Sequence, residues 1–208
     1  MSDTRTPVVG RHSYTGRMAL YLAGEDKADR LLADNATALV IGMVLDQQIP
    51  LERAFAAPLE LQRRLGKKLT AGAVARTDPK VLVGAFKEVP ALHRFPGAMA
   101  ERVQRVCQII VDDCGGDAST IWSTAPDGAT LLKRLQALPG FGEQKARIFV
   151  ALLGKQLGCR PKGWRQAGAP YADAATKMSI ADIKDTKSRE AVRAYKQQRK
   201  AEARAAAE

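Results

Sequence analysis

The chain has 208 residues, 46% of them hydrophobic, and a formal net charge of +11. That length suits one large or two small globular units with a real core. A chain this basic calls for a polyanionic partner. Nucleic acid is favoured over a bilayer, because the longest apolar run, Ala36 to Leu45, is interrupted by Thr37 and Gly42 and is too short to span one. The three cysteines, Cys107, Cys114 and Cys159, are too few and too odd in number for a disulfide framework, and the two histidines, His12 and His93, carry no zinc spacing. No P-loop or dinucleotide-binding glycine pattern occurs. The opening MSDTRTPVVGRHSY lacks the apolar middle of a secretory signal, so a cytoplasmic protein is expected.

In chain order, residues 1–16 read as a loose polar segment, with Tyr14 and Met18 packing onto the body. A helical domain is expected over 17–185. Ala28 to Ala33 reads as a short helix. Ala36 to Gln48 reads as a buried one capped by Asn35, with Leu39, Val40, Met43 and Val44 on one side. Leu51 to Leu65 is amphipathic after Pro50. Ala71 to Thr77 and Pro79 to Phe86 are shorter, the second opened by Asp78-Pro79. Ala98 to Asp113 turns Val103, Val106, Ile109 and Ile110 inward and stops at Gly115-Gly116, and Cys107 and Cys114 fall two turns apart on it as buried thiols. A short helix around Ser119 to Ser123 precedes a helical pair over 130–157, and Ala181 to Tyr195 forms a last helix. Residues 186–208 read as a basic helical tail. The stretch from Lys187 to Glu208 holds seven Lys and Arg against three Glu, and its final dozen residues lack an apolar face. No segment alternates with period two, so the fold class is all-α.

The densest signal is Leu138-Pro139-Gly140-Phe141-Gly142-Glu143-Gln144-Lys145-Ala146. Leu131, Leu132, Leu135 and Leu138 recur at helical spacing before it, and Ile148, Phe149, Leu152 and Leu153 after it. Pro139 ends the first helix, and Gly140 and Gly142 allow a sharp corner that another backbone can approach. The second helix then starts with unpaired amides at its positive dipole end, a seat for a phosphate oxygen. Lys145 and Arg147 stand in its first turn, where the dipole disfavours cations, which suggests an anion nearby.

This pattern resembles the helix-hairpin-helix of DNA-binding proteins. Its LPGxGxxxA form is similar to the one found in the HhH-GPD superfamily of base-excision DNA glycosylases. A second stretch, Ile41 to Pro50, resembles the helix end from which those enzymes extend a polar residue into the gap left by a rotated nucleotide. Gln48 matches that position best and Gln47 is the near alternative. The separation of about ninety residues from Gln48 to the hairpin is family-like, and the resemblance covers roughly 30–165. It implies a two-lobed helical fold and a monomer that binds damaged double-stranded DNA through Gln47, Gln48, Gly140, Phe141, Gly142, Gln144 and Lys145. It also implies a monovalent cation on the backbone carbonyls of Gln136, Leu138 and Phe141. The cysteines that hold an iron–sulfur cluster in some relatives are missing, so no such cofactor is expected.

Two departures qualify the resemblance. The family places a catalytic Asp about 18 to 20 residues beyond the position held here by Gln144, and that window contains Lys162, Gly163 and Trp164. Asp173 is the next carboxylate and the candidate for that role, and Asp46 is a second candidate because it adjoins the wedge. At the site of the Schiff-base lysine of bifunctional members the chain has Gln144. Lys145 lies one residue late, about 100° round the helix. A monofunctional N-glycosylase without lyase activity is therefore expected, with Lys145 on phosphate or in solvent. The alternative is a catalytically inactive lesion-sensing protein on the same scaffold. Trp164 can serve as a stacking platform for a base or as core, and Trp122 reads as core.

Overall fold

A computed structural model describes residues 20–205, and the expectations for 1–16, for Met18 and for 206–208 lie outside the described residues. Every regular element among the described residues is helical, and the one β-like feature is an isolated bridge between Asp127 and Lys162. The helices are α1 (Asp26–Asp34), α2 (Ala36–Leu45), α3 (Leu51–Leu65), α4 (Ala71–Ala75), α5 (Pro79–Lys87), α6 (Pro96–Cys114), α7 (Thr120–Ser123), α8 (Gly128–Gln136), α9 (Glu143–Gln156), α10 (Trp164–Ala167) and α11 (Thr186–Ala205). A 3-10 turn, Ile180–Asp182, precedes the last of them.

Packing divides these elements into two lobes. Helices α1 to α6 pack among themselves, and α7 to α10 pack with one another and with the 3-10 turn that leads into α11. The centre of the first lobe is α2, buried at every position from Thr37 to Leu45 rather than on one side. A helix apolar all round has to lie inside. Asn35 caps it as the sequence predicts, its side chain accepting from the Ala38 amide at 3.0 Å while its Nδ2 ties down the Leu69 carbonyl at 2.7 Å. Gly42 lets α3 approach closely, since a Cβ there would lie 2.7 Å from Phe55 Cδ1.

The second lobe is built on α9. Its apolar side carries Phe149, Val150, Leu152 and Leu153, and Phe149 meets Trp122 edge-on at 5.9 Å. After α9 the chain doubles back along the helix. Trp164 lies against Gly154, Gly168 against the Ala151 amide, and the carbonyls of Ala167 and Ala169 accept from Arg147 Nη1. Trp164 is thus buried core, with Arg165 stacked 4.9 Å from its ring centroid, rather than an open platform for a base. The short helix around it has too few residues to show a period in the sequence.

The larger departures from the sequence reading concern α2 and the last helix. α2 stops at Leu45, three residues before Gln48. The last helix begins at Thr186 instead of Ala181, because Ser179 and Asp182 close a capping box around a separate 3-10 turn. That helix then continues to Ala205, with its last ten residues exposed apart from Tyr195's half-buried ring just before them. Its first half docks rather than floats: Val192 is buried, Arg189 donates to the Tyr21 carbonyl, and Arg193 pairs with Glu52 on α3. α11 therefore runs from the second lobe back to the first.

Candidate nucleic-acid interface

Two helix breaks lie side by side at the junction of the lobes. The hairpin break is local in origin. α8 ends at Gln136, the Phe141 amide donates to the Leu138 carbonyl at 3.0 Å, and Gly140 takes φ +89°, a left-handed conformation that glycine adopts without steric cost. Gly140, Gly142, Glu143 and Gln144 are exposed, so the corner is open to a polynucleotide. Phe141 points inward, its ring 5.9 Å from that of Phe149, and only its backbone reaches the surface. No side chain caps α9, and no described residue accepts from the amides of Gly142, Glu143, Gln144 or Lys145. These donors at a helix N-terminus form an anion seat. Of the three carbonyls expected around a cation, that of Leu138 already accepts from Phe141, while those of Gln136 and Phe141 have no described donor. Carbonyl oxygens are suitable hard donors for a monovalent cation.

The second break is tertiary in origin. Gln47 N–H donates back to Leu45 O at 2.7 Å around Asp46 (φ −71°, ψ 71°), an inverse γ-turn. Gln48 follows at φ +57°, the one non-glycine residue with positive φ among those described. No glycine makes this corner, so other parts of the chain must hold it. The Gln47 carbonyl accepts from His93 Nε2 at 2.9 Å, while His93 Nδ1 accepts from the Phe95 amide at 3.0 Å. Those roles fix a neutral ring, and burial holds its pKa below the usual histidine value. The Gln47 side chain donates to Val44 O at 2.6 Å and accepts from Arg102 Nη1 at 3.2 Å. Gln47 is therefore fastened inward, and Gln48 is exposed.

Two cations join the breaks. Arg102 on α6, bonded to Gln47, also lies beneath the hairpin: a Cβ on Gly140 would come 2.8 Å from its Cδ. Lys145 on α9 reaches across to donate to Met43 O at 2.7 Å and Val44 O at 3.4 Å. A cation at the carbonyl end of α2 also meets the negative pole of its dipole. The Lys145 ammonium is turned into the protein instead of being presented to phosphate or solvent, and burial pulls its pKa below the usual lysine value, partly offset by Asp46.

Asp46, the central residue of the γ-turn, is half-buried, and burial raises its pKa against the opposing pull of Lys196 and Lys145. Gln144 is exposed and donates to the Tyr171 hydroxyl at 3.0 Å. Asp173, two residues further on, is exposed; its carboxylate accepts from the Ala175 amide at 2.9 Å, and its turn is held through Thr176 to Lys155 near the far end of α9. The structure thus brings Gln47, Gln48, Gly140 and Lys145 together and leaves Asp173 in a turn of its own. Sequence reasoning missed His93, Arg102 and Tyr171. Each acts on a partner between 27 and 55 positions away, beyond any local periodicity.

Among the described residues, no group of three or more His, Cys, Asp or Glu side chains is placed to hold a metal ion, and no helix is long and apolar enough to cross a membrane. Residues 41–208 match a family model described as HhH-GPD superfamily base excision DNA repair protein. No match is found among curated proteins or among solved structures.

Proposed function

The chain belongs to the HhH-GPD superfamily of base excision DNA repair proteins, and on that premise we propose that it is a monofunctional DNA N-glycosylase that removes a damaged base from duplex DNA. The observation that carries this reading is the juxtaposition of the exposed Gln48 corner and the open hairpin, bridged by Arg102 and Lys145. The free amides from Gly142 to Lys145 hold one phosphate and set the register of the protein on the strand, without reading sequence. Gln48, carried outward on a rigid turn, enters the stack as the target nucleotide rotates out, and its amide restores hydrogen bonds to the orphaned base. Gln144 in place of an amine, and Lys145 committed to two carbonyls, argue for hydrolysis without backbone nicking. Asp173, with Asp46 as the alternative, is the candidate for the catalytic carboxylate on this reading.

The test is release of free base from duplexes carrying a broad panel of lesions. Release without strand cleavage is the expected result, and Gln48→Ala should slow it on duplex substrates while leaving binding to undamaged DNA steeply salt-dependent. The second reading, a lesion-binding protein without turnover, is favoured by one observation: Lys162, Gly163 and Trp164 fill the window where the family places its acid. Lesion-selective binding with no release across the whole panel would establish that reading instead.

A further inference from the structure

The last helix carries a charge pattern that its own packing leaves unanswered. Arg189, Arg193, Lys196, Lys200 and Arg204 recur at spacings of four, three, four and four residues, so they share one face of α11, within about 80° of its circumference. The acids of the helix, Glu190 and Glu202, lie outside that sector, and Arg199, also outside it, is paired with Glu202 at 2.9 Å. Arg189 and Arg193 have protein partners. Lys196, Lys200 and Arg204 are exposed and make no hydrogen bond or ion pair with a described residue. Like charges four residues apart weaken a helix, so the ladder Lys196–Lys200–Arg204 costs stability that a polyanion lying along it would restore.

The docking of α11 aims this face at the corner of Gln48. Its contacts run in order along the helix. Arg189 donates to the Tyr21 carbonyl at 2.6 Å and lies 3.1 Å from where a Cβ on Gly24 would stand. Val192 is buried, and Arg193 then closes on Glu52 in the first turn of α3. Lys196 comes next, near enough to the γ-turn for its charge to act on Asp46. Glu52 follows Gln48 by four residues, a separation the chain cannot stretch beyond about 14 Å. From Arg193 the helix rises about 4.5 Å to Lys196, about 10 Å to Lys200 and about 16 Å to Arg204. The exposed half of α11 thus starts at the corner and runs past it. The hairpin helix reaches the same corner through the carbonyls of Met43 and Val44, just before it, and α11 reaches it through Glu52, just after it.

We propose that the outer half of α11 is a second backbone clamp for duplex DNA, with Lys196, Lys200 and Arg204 laid along the phosphates that flank the nucleotide displaced at Gln48. The proposal rests on the duplex-binding part of the reading above, and it holds with or without turnover. The hairpin seat grips one phosphate through fixed amides. The outer half of α11 instead offers three long cationic side chains over about 12 Å of helix. A strand presents a phosphate every ~3.4 Å of duplex axis, so each cation has a phosphate of its own to engage. Such contacts add affinity and hold the duplex in register without reading bases. Solvation alone accounts for neither the docking of the helix on Glu52 nor the gathering of its cations on one face.

The experiment measures affinity of the full chain for a duplex carrying an abasic-site analogue, by fluorescence anisotropy between about 50 and 200 mM salt, together with thermal midpoints. One variant combines Lys196→Gln, Lys200→Gln and Arg204→Gln. A control combines Lys68→Gln, Arg76→Gln and Lys80→Gln, which removes the same charge from exposed positions at the far end of α3, where Lys67 Nζ donates to Thr77 Oγ1 at 2.9 Å. A third variant, Lys196→Arg, Lys200→Arg and Arg204→Lys, keeps the charge. The first should flatten the slope of log affinity against log salt by about 2 to 3 and lose about 10²- to 10³-fold in affinity at about 0.1 M salt. Its thermal midpoint should be unchanged or higher, because like-charge neighbours are gone. The control should stay near the wild-type slope, since charges more than a Debye length from the strand are screened. The charge-keeping variant should match the wild type. An unchanged slope in the first variant, equal flattening in the control, or flattening in the charge-keeping variant overturns the clamp and leaves duplex binding at the hairpin standing. Absence of salt-dependent duplex binding by the wild-type chain overturns both.

Discussion

The two corners of the interface reach the same result, a sharp break between helices, by opposite means. At 138–142 the break is written in Pro139 and Gly140, whose backbone preferences act within the segment itself. At 45–48 there is no proline or glycine before Pro50, and the break is imposed by Arg102, Lys145 and His93, each from another helix or loop. The hairpin is a rigid local clamp, suited to a phosphate that is present on any strand. The corner at 45–48 is held by tertiary contacts, as suits the wedge proposed for Gln48, which must stay extended while DNA distorts around it.

The largest effect that would break this contrast is expected at Lys145. Lys145→Met removes the charged donor on two α2 carbonyls and should cost about 1.5–3 kcal/mol in chemical denaturation, and it should raise hydrogen exchange at 45–48 more than at 138–142. Equal loosening at both corners would show that the wedge is not the dependent one. Gly140→Val and Gly142→Val come next. Gly140 has positive φ and rests on Arg102, so its substitution should cost about 1–3 kcal/mol and also disturb Gln47. Gly142 takes φ −72°, and a Cβ there meets nothing, so Gly142→Val should leave stability within about 0.5 kcal/mol and weaken duplex binding in a fluorescence titration. Retained affinity in Gly142→Val would count against strand contact at the hairpin.

The pH dependence separates the corners further. His93 has a folded pKa below 6.5, so its contribution to stability is complete above about pH 6.5 and is lost as pH falls below that toward the folded value. Protonation also removes the Nδ1 acceptor that holds the Phe95 amide. The thermal midpoint should therefore drop on acidification below pH 6.5, and His93→Gln should flatten that drop while leaving the hairpin unaffected. A modest effect of opposite sign is expected at Gln48. Gln48→Gly relieves the positive φ and should change stability by no more than about 1 kcal/mol, in the stabilising direction, while base release from duplexes falls. A destabilised Gln48→Gly would mean that its left-handed backbone carries no strain.

Much of this organisation is legible in the chain. The leucine spacing, the Asn35 and Asp78 caps and the Pro-Gly corner give the helices of both lobes, because helix periodicity, capping and turn formation depend on neighbours a few positions apart. The hairpin as an anion seat follows from the same local rules. Gln48 can be singled out only by resemblance, since nothing local bends the chain there. The direction of Lys145, the burial of Trp164 and the docking of α11 through Arg189 and Arg193 escape such reading. A periodic pattern says which side of a helix is polar, not which carbonyl a cation will find.

By itself, then, the sequence determined an all-helical chain of basic charge with one strand-gripping corner, because those properties sum over composition and short-range geometry. Only the tertiary structure decided that a second, glycine-free corner stands beside the first, held there by His93, Arg102 and Lys145. Those facts depend on side chains between 46 and 102 positions apart meeting at one place, and no local rule encodes such meetings.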